Sequence, residues 1–114
     1  MKTVQLQRDS KVIFSNVNIA EKLSERMVGL LAHKELPAEH ALWIDPCSSI
    51  HTFMMKFSID VIFLDRDMTV VKICRDVAPG NMVFGGMSAR STVEIASGWL
   101  AEDMLKVGQK LTSL

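Results

Sequence analysis

Ser58-Ile59-Asp60-Val61-Ile62-Phe63-Leu64-Asp65-Arg66-Asp67-Met68-Thr69-Val70-Val71-Lys72-Ile73-Cys74-Arg75 is the stretch whose reading decides the fold. Ile59, Val61 and Phe63 alternate with Ser58, Asp60, Ile62 and Leu64. A period of two places the two sets on opposite faces of a strand. Both sets are mostly apolar, so this strand is expected at the centre of a sheet, covered on both sides. Asp65-Arg66-Asp67-Met68 carries turn residues, and the Val- and Ile-rich residues 69–75 return as the second arm of a hairpin.

The same grammar extends in both directions. Residues 41–45 read as a strand stopped by Pro46, because proline has no N–H to give to a ladder. Residues 11–14 and 17–20 read as two short strands separated by a Ser15-Asn16 turn. Residues 91–96 form another strand, and residues 110–112 a last one able to close the sheet. Two short helices are expected. One is capped by Ser24 and runs to about Leu31, with Met27, Leu30 and Leu31 on one face. The other covers residues 99–106 and ends at Gly108. Residues 76–90 have two readings. Pro79-Gly80-Asn81 and Gly85-Gly86 suit a functional loop, whereas Met82, Val83 and Phe84 suit an extra edge strand. The expected fold class is mainly β: a small sandwich or barrel with two short helices.

Length and composition bound the function. The 114 residues fit a single domain, residues 1–114, and 48% hydrophobic content supplies one core. Thirteen basic and thirteen acidic side chains cancel, which leaves no broad basic field for nucleic acid. Apolar runs are only a few residues long, far below the roughly 20 needed to span a bilayer. The start, Met1-Lys2-Thr3-Val4, carries charge where a leader would be apolar, and the expected compartment is the cytoplasm. There Cys47 and Cys74 would stay reduced.

Chemistry concentrates in Pro46-Cys47-Ser48-Ser49-Ile50-His51-Thr52-Phe53-Met54-Met55. Polar groups withdrawn from water need partners, so these residues either satisfy one another or build a site. Cys47 and His51 could form an activated thiolate. They could also begin a zinc shell completed by Asp60 or Glu94, although no second Cys/His pair exists to make a metal the assignment. The plainer reading has His51 and Thr52 bonding backbone groups, with Cys47 as small packing filler. Asp60, on an apolar strand, requires a cation or several N–H donors. Arg26 is the first candidate, with Lys56 and Arg75 behind it. Glu94 sits between Val93 and Ile95 in a similar setting, and Asp60 with Glu94 could make an acid–base pair. Trp43, Trp99, Phe53 and Phe57 either line a stacking surface or fill the core.

Several motifs recur in a fixed order: Arg26-Met27-Val28-Gly29-Leu30-Leu31, then Pro46 to Phe53, Met55, Ile59-Asp60-Val61-Ile62-Phe63-Leu64-Asp65, and Val93-Glu94-Ile95-Ala96-Ser97-Gly98. Together they resemble the bacterial and archaeal domain-of-unknown-function family 192, over about residues 17–111. Three positions depart from its pattern: Leu31 where the family has methionine, Asp67-Met68 where its hairpin carries glycine, and Gln109 where it has aspartate. The resemblance implies a jelly-roll-like β domain and carries no activity with it. The functional expectation is therefore a non-catalytic β domain that binds a small ligand or a partner segment, as a monomer or homodimer. Arg26, Cys47, His51, Thr52, Asp60 and Glu94 would form its polar site, with residues 76–90 as a cover. The alternative is a cysteine- or metal-dependent hydrolase using Cys47 and His51. No cofactor is assigned.

Overall fold

The structure, a computed structural model, describes residues 2–20 and 40–113. It is mainly β, with no helix among the described residues. Strands β1 (Lys2–Arg8), β2 (Lys11–Ala20), β3 (His40–Ile44), β5 (Ile59–Leu64), β6 (Val70–Val77), β8 (Ser91–Ala96) and β9 (Thr112–Ser113) form one sheet in the order β6-β5-β8-β3-β2-β1-β9. A second, two-stranded sheet pairs β4 (Ser49–His51) with β7 (Met82–Phe84). Residues 82–84 thus take the strand reading rather than the open-loop one. In the large sheet only β2 and β3 run parallel.

All six residues of β5 are buried, as its two apolar faces require. Ile62 and Leu64 join Phe14, Val17, Val93 and Ile95 on one side of the sheet. Leu100, Leu105 and Leu111, from the chain after β8, cover that side. Ile59, Val61 and Phe63 join Leu42 and Ile44 on the other side, under Cys47, Ile50 and Met55. Gly85, after β7, lies so close to the Phe63 ring that an added Cβ would overlap it and Ala89. Two packed layers around a twice-covered sheet make the fold sandwich-like. At one corner the sheet ends meet: Thr69 bridges Lys110, Val70 N–H donates to Gln109 O at 2.8 Å, and Gly108 N–H donates to Val70 O at 2.8 Å. The sheet does not close into a barrel along its length.

Three expectations change. First, residues 11–20 are one continuous strand. Val4 pairs with Val17 and Leu6 with Phe14, so Ser15 and Asn16 together oppose the single residue Gln5. The polar pair is absorbed as a bulge, which bends a strand without ending it. The turn lies earlier, at Asp9 and Ser10, with φ of 50° and 68° between the paired Arg8 and Lys11. Second, residues 99–106 are separate turns, Trp99 N–H to Ala96 O and Met104 N–H to Ala101 O, and not a helix. Eight residues nucleate a helix poorly, and burial of Leu100 and Leu105 in the core overrides the local preference. Third, residues 110–112 close the sheet only at one corner, through the Thr69–Lys110 bridge, while β9 extends the sheet beyond β1. The helix expected from Ser24 lies outside the described residues.

Candidate functional site

The motif around Cys47 is spread across two environments. Cys47 is buried, and its thiol donates to Ser49 O at 3.0 Å. Its backbone is tied to the strand behind it: Cys47 N–H donates to Arg90 O at 2.8 Å, and Thr92 Oγ1 donates to Cys47 O at 3.0 Å. His51 is exposed at the end of β4 and stacks on Phe53, with ring centroids 5.1 Å apart. No hydrogen bond between Cys47 and His51 occurs among the described residues. His51 lies opposite Met82 across the ribbon. The neighbouring pair, Thr52 and Asn81, carries the ladder bond from Thr52 N–H to Asn81 O at 2.8 Å. His51 and Met82 therefore form the closer, non-hydrogen-bonded kind of cross-strand pair.

Thr52 is fully buried and joins the start of β5's approach to the loop before β7. Its Oγ1 donates to Ala78 O at 2.7 Å and accepts from Asn81 N–H at 2.9 Å. Its carbonyl accepts from Gly80 N–H at 3.0 Å. Residues 78–81 are thereby tied to Thr52 through both its hydroxyl and its carbonyl.

Asp60 and Glu94 are both buried, on opposite faces of the sheet. Asp60 pairs across with Ile95, and Val61 with Glu94. Cross-strand partners share a face and successive residues do not. Asp60 therefore lies on the Ile62 and Leu64 side, and Glu94 on the Phe63 and Cys47 side. An acid–base pair between them is ruled out by this alternation. The cation beside Asp60 is Arg75, the reserve candidate, at 3.7 Å from Oδ2. Asp60 Oδ1 also accepts from Asp76 N–H at 2.8 Å and Oδ2 from Gly98 N–H at 3.3 Å. Arg75 in turn donates to Leu100 O. Arg26 lies outside the described residues.

One concavity among the described residues is lined by Ile19, Trp43, Asp45, Pro46 and Arg90. It opens beside the carboxyl ends of the parallel strands β2 and β3, where Ile19 and Trp43 are cross-strand partners. Its volume is about 490 Å³. Arg90 Nε donates to Asp45 Oδ1 at 2.9 Å, across 45 residues of sequence. The cleft adjoins the Cys47 loop through Pro46 and through the Arg90 carbonyl. Asp45 and Arg90 carry no motif, and nothing in the sequence pairs them; Trp43 stood only as one aromatic among four. Among the described residues no three His, Cys, Asp or Glu side chains gather as metal ligands. No helix among them is long and apolar enough to cross a membrane.

Comparison with known proteins agrees with the geometry at the level of fold. A crystal structure of a protein of unknown function from Novosphingobium aromaticivorans superposes with a TM-score of 0.79 at 21% identity, covering 96% of this chain and 83% of the other. A candidate transcription regulator from Sinorhizobium meliloti 1021 superposes with a TM-score of 0.80 at 18% identity, covering 97% and 92%. No curated protein matches in sequence. The family model DUF192, described as "Uncharacterized ACR", matches residues 4–113. With nearly its whole length inside that match, the chain belongs to the DUF192 family.

Proposed function

We propose that this protein is a non-catalytic β domain that binds a small ligand in the cleft between Trp43 and Arg90. The observation that carries this reading is the cleft itself, about 490 Å³ with an apolar floor and a polar rim. Small-molecule sites share that composition and fall within roughly 300–1,000 Å³. The site lies beside the Cys47 loop, on its Pro46 flank. Cys47 and Thr52 support the loop from behind, through Ser49, Arg90, Ala78 and Asn81. A hydrolase built on Cys47 and His51 draws no support from the geometry, because the thiol is buried and donates elsewhere while the imidazole stands in solvent.

No disulfide joins Cys47 to Cys74, which accords with a reducing compartment, so a cytoplasmic location goes with this reading. The neutral charge balance argues for a ligand other than nucleic acid. The test is a titration of a soluble fragment library against a Trp99→Phe variant, in which Trp43 is the single remaining indole. A subset of fragments is expected to shift Trp43 emission, with the shift reduced in Arg90→Ala. A library that leaves Trp43 emission unchanged would end the ligand reading.

A further inference from the structure

We infer that the ligand of the cleft is a neutral saccharide ring. This rests on the cleft being a ligand site, and it follows from what the lining groups offer. Trp43 is partly exposed, yet its Nε1 is buried with no hydrogen-bond partner among the described residues. The part of the indole that reaches solvent is therefore carbon. Ile19, on the same face by strand pairing, and Pro46 extend this carbon surface. Such a floor suits a ligand that is flat and weakly polar on one side.

The rim is of a different kind. Asp45 and Arg90 neutralise each other through the 2.9 Å bond, with their side chains 36% and 56% exposed. No net charge remains at the cleft to draw a free anion or cation. The single Nε–Oδ1 bond engages one carboxylate oxygen and one guanidinium N–H. A carboxylate has two acceptor oxygens and a guanidinium five N–H donors, so acceptor and donor capacity stand side by side. A wholly apolar ligand would strip water from both groups and return no hydrogen bond. An anion at the remaining guanidinium N–H groups would lie beside the Asp45 carboxylate and be repelled by it. A hydroxyl donates and accepts at once, so neighbouring hydroxyls can bond both groups without separating them. A sugar ring carries an apolar C–H face and a rim of such hydroxyls, and it matches floor and rim together.

The experiment uses the full chain carrying Trp99→Phe. Glucose, N-acetylglucosamine and maltose are titrated to millimolar concentrations, with sodium phosphate and cyclohexanol as comparison probes. Trp43 emission and the backbone amide shifts of Ile19, Trp43, Asp45 and Arg90 are followed. At least one saccharide is expected to shift all four amides, with binding about tenfold weaker in Arg90→Ala, the loss of one charged hydrogen bond. Arg90 is a surface residue, so that variant is expected to keep its fold and its amide spectrum elsewhere. Cyclohexanol or phosphate moving these amides while every saccharide leaves them still would overturn the saccharide assignment and leave the cleft a ligand site. If no probe moves them, both readings fall. A saccharide that binds equally well to Arg90→Ala also overturns the inference, since the rim would then contribute nothing.

Discussion

At Asp60 a carboxylate is held inside a sheet at 1% exposure by two backbone N–H groups and the Arg75 guanidinium. The arrangement also fixes the corner where β6 ends and the turn after β8 begins, since Asp76 and Gly98 are the two amide donors. Asp60→Ala would leave both amides without their acceptor, while Arg75, about one-third exposed, regains water. The expected cost is about 3 kcal/mol, measured by urea denaturation. A midpoint equal to that of the parent would mean that the corner is held by something else. The two thiols separate by environment in the same way. Cys47 is buried in the core and Cys74 partly exposed on β6. Iodoacetamide at neutral pH should label Cys74 first in the folded protein. Faster labelling of Cys47 would show an accessible, activated thiolate and revive the hydrolase alternative.

Two turns illustrate how elements are set. The β1–β2 hairpin uses Asp9-Ser10, both at positive φ and both exposed. A two-residue turn of this kind favours glycine at its second position, because a side chain there strains the left-handed backbone. Ser10→Gly should raise stability by about 1 kcal/mol, seen as a higher denaturation midpoint with an unchanged slope. The β4–β7 ribbon depends instead on Thr52, whose hydroxyl both donates and accepts within the loop before β7. Thr52→Val keeps the shape and removes the hydroxyl. It is expected to cost about 2 kcal/mol, since Ala78 O and Asn81 N–H lose a buried partner. Hydrogen exchange should speed up at residues 80–85 before it does in β5 or β8. Uniform acceleration across all strands would show that the ribbon does not open separately.

Across the whole molecule, the second layer meets the sheet where Gly85 lies against Phe63. A methyl group at Gly85 would push β7 away from the sheet or force Phe63 out of place. Gly85→Ala should therefore cost about 2–3 kcal/mol, by overpacking an interface between layers. Gly86 has open space around its missing Cβ but a φ of 96°, so Gly86→Ala should cost about 1 kcal/mol through backbone strain alone. Equal costs at the two neighbours, read from thermal unfolding, would argue against the close approach. The outer face of the ribbon carries large apolar side chains in solvent. Phe53, Met82 and Phe84 are about half exposed there, beside His51.

Local pattern was enough for much of this architecture. The period-two alternation of residues 59–64 determined a central strand with two buried faces, and the Val- and Ile-rich residues 69–75 determined its partner. Net neutrality and short apolar runs were likewise properties of the chain alone. Register was decided only in three dimensions. Whether Ser15-Asn16 turns or bulges depends on what lies opposite, and here that is Gln5. Whether Asp60 meets Glu94 depends on cross-strand pairing, which sets them on opposite faces. The cleft is the furthest from sequence, because its rim joins Asp45 to Arg90 across 45 residues. Side-chain periodicity is written into neighbouring residues, so a sequence determines faces. Proximity between distant residues comes from strand order and register, which many local patterns share, and only the tertiary structure selects among them.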